Sequence, residues 1–69
     1  MMTREELAAL PVGEVIYGDE TVWRKLHETN PRFGYYQCWR GEARKGVWTD
    51  GAVWALSKGN ITRIGNVRG

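Results

Sequence analysis

One serine (Ser57), one histidine (His27) and one cysteine (Cys38) are the chain's whole stock of those residue types, and they bound the chemistry it could perform. A Ser-His-Asp relay would need Ser57 and His27 to meet beside Asp19 or Asp50. No nucleophile elbow surrounds Ser57, which falls late in a helical pattern. Cys38 and His27 could in principle form a thiolate pair, but Cys38 lies mid-strand between Gln37 and Trp39, where a small buried hydrophobe is expected. Carboxylates occur together at Glu5-Glu6 and Asp19-Glu20, yet sequence neighbours do not converge on one substrate atom. The first pair suits a helix cap and the second a turn. The nine glycines are scattered rather than gathered into a phosphate loop. No acidic loop with alternating calcium ligands is present, and one Cys with one His excludes the common structural zinc sets. The sequence reads as non-enzymatic, with no catalytic residue, metal ligand or cofactor.

Binding fits the residue pattern better. Aromatic and basic side chains interleave at Trp23-Arg24-Lys25, Arg32-Phe33-Gly34-Tyr35-Tyr36, Trp39-Arg40 and Arg44-Lys45-Gly46-Val47-Trp48. Aromatic and arginine side chains are the usual anchors of protein–protein contacts, which makes Trp54, Tyr35, Tyr36, Trp39 and Arg40 candidates for a protein partner. The same mixture supplies stacking platforms beside phosphate-neutralising charges. On that alternative Arg32, Arg40, Arg44, Lys45 and Arg63 would meet phosphates, with Tyr35, Tyr36 or Trp48 stacking on bases. Charge distribution leaves both open. Residues 1–28 carry three basic and six acidic side chains, whereas residues 29–69 carry seven basic against Glu42 and Asp50. A basic half favours an acidic or polyanionic partner, but an overall +2 is weak for a dedicated nucleic-acid binder.

Sixty-nine residues make one small domain, burying only about 60% of the surface its unfolded chain exposes. Without disulfide or zinc, stability must come from aromatic packing or self-association. Four Trp, three Tyr and one Phe supply about 150–250 Å² of buried surface each when interior. There is no apolar run of transmembrane length and no signal-peptide core, so the expectation is a reducing, cytoplasmic setting without membrane contact. The Asn60-Ile61-Thr62 sequon is read as chance.

Elements that would position these side chains follow from local patterns. Thr3 with Glu6 forms a capping box for a helix over residues 3–10, stopped by Pro11. Residues 14–17 and 21–27 read as a hairpin around Gly18-Asp19-Glu20; residues 34–40 and 61–67 read as further strands. The stretch Val47 to Trp54 is ambiguous, because Asp50-Gly51 could turn a hairpin or begin a helix. Thr49 as cap, Asp50 in the first turn, the Ala52/Val53/Leu56 stripe, and Trp48 with Val53 as a hydrophobic staple favour a helix over 50–58. They outweigh the roughly 1 kcal/mol that Gly51 costs. The expected fold is α+β: a small antiparallel sheet of three to four strands in the order α-β-β-β-α-β. Trp54, off the helix stripe, is left as the tryptophan with least structural reason to be there.

Leu10-Pro11-Val12-Gly13, Val22-Trp23, Trp39, Trp48-Thr49 and Gly59 together resemble a widespread group of small proteins from actinobacterial phages. The likeness spans most of the chain and rests on structural positions; Glu20-Thr21 replace the usual glycine-containing turn, and the loop over 28–34 is longer. What it implies is a phage gene product acting inside a bacterial host. Aromatic density beyond what one small core needs points to binding of a host or phage protein or of its own copies, and the small size also fits a structural component of a phage particle.

Overall fold

The computed structural model describes residues 1–28 and 37–66. A short helix, α1 (Arg4–Ala8), precedes a hairpin of β1 (Glu14–Gly18) and β2 (Thr21–Lys25). Then come β3 (Gln37–Gly41), β4 (Val47–Thr49), a second helix α2 (Asp50–Ser57) and β5 (Thr62–Asn66). The strands form one antiparallel sheet in the order β4-β3-β2-β1-β5. The α+β class and the helix before the last strand are as expected; the sheet has five strands rather than three or four. The added strand is Val47–Thr49, three residues paired to β3 and too short to show as an alternating pattern.

In the Val47–Trp54 stretch Asp50 and Gly51 open α2, as the helix reading expects, and do not turn a hairpin. Val47-Trp48-Thr49 is strand, and Thr49 then caps α2 by accepting the Ala52 amide on its side-chain oxygen at 3.1 Å. The helix ends where Lys58 turns left-handed (φ 55°). A Cβ at Gly51 would lie 2.8 Å from Arg4 Nη2, the far end of a flexible, exposed side chain that can move aside. At α1 the capping box is complete, with Thr3 N–H donating to Glu6 Oε1 and Glu6 N–H to Thr3 Oγ1, each at 3.1 Å.

The hairpin turns on Asp19 and Glu20, both at positive φ (53° and 55°), the type I′ geometry that matches strand twist. Arg44 clamps this turn, donating from Nε to Asp19 Oδ2 at 2.8 Å. Both helices cover the same face of the sheet, and the core lies between: Leu7, Leu10, Ile16, Trp23, Cys38, Trp39 and Val53. Along β2, Thr21, Trp23 and Lys25 point inward while Val22 and Arg24 point away. Lys25 is 1% exposed, a burial that a lysine tolerates only when its ammonium is hydrogen-bonded. Its Nζ donates to the carbonyls of Ala8 (2.8 Å) and Leu10 (2.7 Å) and lies 5.7 Å from the Trp39 ring centroid. A cation thus closes the C-terminal end of α1, where orphan carbonyls need a donor.

Candidate functional site

The two faces of the sheet have different fates. One is sealed by α1 and α2. The other carries Val15, Val22, Leu26, Arg24 and Arg40, which with Gly41 and Glu42 line a concavity of about 580 Å³. An antiparallel sheet with one solvated face ordinarily alternates apolar-in with polar-out. Here the outward positions are apolar on either side of two arginines, and Tyr17 on the outward side of β1 is 46% exposed.

Register explains how the arginines come together. Arg24 on β2 is the direct partner of Arg40 on β3. The row continues to Val47 beyond Arg40 and to Val15 beyond Arg24. Opposed residues place their Cβ atoms about 4.5–5.5 Å apart, and like charges so placed destabilise the sheet. Among the described residues neither guanidinium has a hydrogen-bond or ion-pair partner. Arg44 and Arg63 do have carboxylate partners. Arg44 takes Asp19, and Arg63 Nε donates to Glu14 Oε2 at 2.7 Å, a bond that raises the Arg63 pKa above its ordinary value.

The candidate residues distribute unevenly over this frame. Arg40 is exposed on the open face. Arg24 was missed as a site residue, although its place between Val22 and Leu26, opposite in phase to Trp23 and Lys25, was legible; its pairing with Arg40 depends on register. Trp39 is fully buried, its indole N–H donating to Asp50 Oδ1 at 2.6 Å, so it is core and offers no contact surface. Trp54 is half-buried against the core, and its Nε1 donates to the Met2 carbonyl at 3.0 Å. It anchors the N-terminal residues, which gives it the structural reason the sequence did not reveal. Trp48 packs edge-on against Trp23, centroids 6.2 Å apart, with the Arg44 guanidinium over its ring. Lys45 is exposed in the connection before β4. Arg63 stands on β5, three strands away from Arg40 on β3 in the sheet order. The nucleic-acid candidates Arg40, Arg44, Lys45 and Arg63 therefore do not form one basic track. Tyr35, Tyr36 and Arg32 lie outside the described residues.

The two candidate nucleophiles are each held by a neighbour. Ser57 Oγ donates back to the Val53 carbonyl at 2.8 Å, and the Cys38 thiol is buried against Asp50 Oδ1 at 3.4 Å. Among the described residues no hydrogen bond joins His27 to either. No set of three or more His, Cys, Asp or Glu among them is placed to hold a metal ion, and no helix among them is long and apolar enough to cross a membrane. No protein-family model, curated protein or solved structure matches the chain.

Proposed function

We propose that the protein is a non-enzymatic, phage-encoded interaction module that binds a host or phage protein in the bacterial cytoplasm through the open face of its sheet. The observation that carries this reading is the row Val47-Arg40-Arg24-Val15 across four strands, where a solvated face would be mainly polar. Arginine beside apolar surface is the composition of contact hot spots. The phage setting is supported by the motif resemblance at Leu10–Gly13, Val22-Trp23 and Trp48-Thr49. A nucleic-acid role has less support, because Arg44 and Arg63 are occupied by carboxylates.

Capture of partners from infected host cells by immobilised protein tests the proposal. Wild type and a Lys58→Glu variant, altered at the exposed end of α2, should retain the same partner. A folded Val22→Glu variant should lose it. Retention by Val22→Glu would contradict the reading.

A further inference from the structure

We propose that Arg24 and Arg40 form a receptor for a carboxylate, so that the open face takes an acidic segment of a partner protein. On this assignment an Asp or Glu side chain enters between the two guanidiniums, while apolar neighbours in the segment rest on Val22 and Leu26. The inference rests on the open-face reading and adds the chemistry of what binds there.

Charge complementarity is the main argument. The register fixes two like charges as direct cross-strand partners, an arrangement that costs stability unless an anion is shared between them. The fold neutralises Arg44 and Arg63 with Asp19 and Glu14 but gives Arg24 and Arg40 no such partner among the described residues. With Glu42 on the same concavity, the described residues of that wall carry one positive charge in excess, matching one carboxylate. Guanidinium groups bind carboxylates in a planar, two-pronged geometry. The lining also includes the aliphatic side chains of Val15, Val22 and Leu26, which give apolar neighbours of the carboxylate a surface to rest on. A peptide is favoured over a nucleic acid on two counts. Among the described residues two guanidiniums are uncompensated on this face, and the described part of its lining contains no aromatic ring on which bases could stack.

The test uses the full chain and three fluorescent probes: a peptide of alternating Glu and Leu, the same peptide with Gln for Glu, and a single-stranded thymidine oligonucleotide. Anisotropy titrations at low salt should show saturable binding of the Glu peptide, at least tenfold tighter than the Gln peptide or the oligonucleotide. Arg24→Gln and Arg40→Gln should each weaken it tenfold or more. Arg24→Lys, which keeps the charge and loses the fork, should fall between. Lys58→Gln, at the exposed end of α2 and outside the described lining, should bind as wild type does. Equal binding of the Glu and Gln peptides would overturn the receptor, as would undiminished binding in a folded Arg24→Gln/Arg40→Gln double variant. Tighter binding of the oligonucleotide would overturn it in favour of a nucleic-acid surface. If Val22→Glu abolishes partner capture while the two peptides bind alike, the face stands and the carboxylate receptor falls.

Discussion

The indole N–H of Trp39 donates to Asp50 Oδ1 at 2.6 Å, joining the middle of β3 to the first turn of α2. Both residues are buried. The same carboxylate oxygen receives the Cys38 thiol, so one buried acid serves two neighbouring side chains. The acid also sits where the helix dipole favours negative charge. This contact ties the start of α2 to the middle of β3.

Removing that acceptor should be costly. Asp50→Ala leaves a buried indole N–H without its partner, and an unsatisfied buried donor costs about 1–3 kcal/mol. Asp50→Asn keeps an oxygen acceptor and should lose clearly less. Urea unfolding of the two variants beside wild type measures both values.

Gly41 should be intolerant of a side chain. It is the cross-strand partner of Trp23, and a Cβ at this position would lie 2.8 Å from Trp23 Cζ3 and 3.2 Å from Thr21 Cγ2. The ring cannot easily yield, because its Nε1 is held by the Gly18 carbonyl at 3.0 Å. Gly41→Ala should cost about 1–3 kcal/mol by overpacking, measured as a lowered midpoint in thermal or urea unfolding. Gly46→Ala meets no atom within 4 Å but sits at φ 87°, so any loss there is conformational.

The pH dependence of α1 follows from Glu6. Its hydrogen bond from the Thr3 amide, with the rest of the capping box, holds its carboxyl below the ordinary value. A folded pKa below the unfolded one contributes stability above the unfolded value, and that contribution is lost as pH falls through the folded one. Wild type should therefore lose part of its stability on acidification through and below the usual glutamate range. Glu6→Gln, which can still accept the Thr3 N–H, should remove that part of the pH dependence. Chemical denaturation across an acidic pH series compares them.

Arg24 and Arg40 should oppose folding in the free protein. Replacing either by Gln relieves a like-charge pair, with an expected gain of about 0.2–1 kcal/mol. The double variant should gain less than the sum, because the second change has no repulsion left to remove. The gains should shrink as salt rises. Loss of stability in both single variants would mean that the arginines have stabilising partners within the fold.

Local signals carried much of the architecture. The capping box at Thr3 and Glu6, the hairpin around Asp19 and the cap at Thr49 are all decided by residues within a few positions of one another. The placement of Trp39 and Trp54 was not legible for the opposite reason. Pairing of β3 with β4 shifts register between Gln37 and Trp39, and Cys38 and Trp39 are both buried. A strict two-residue alternation puts them on opposite faces. Trp54 is explained by a bond to Met2, 52 positions away, which no local pattern announces. The open face shows the same division. Its apolar stripe of Val22 and Leu26 was readable along β2, but the meeting of Arg24 with Arg40 exists only once β2 and β3 are in register.

Amide chemical-shift mapping of the labelled protein with the Glu-Leu peptide shows whether binding occurs on the sheet face away from both helices. Titration should move resonances of Val22, Arg24, Leu26 and Arg40, with little change at Arg4, Glu5, Ala52 and Ala55 on the helices. Shifts concentrated on α1 and α2, with the Arg24 and Arg40 amides unmoved, would contradict it.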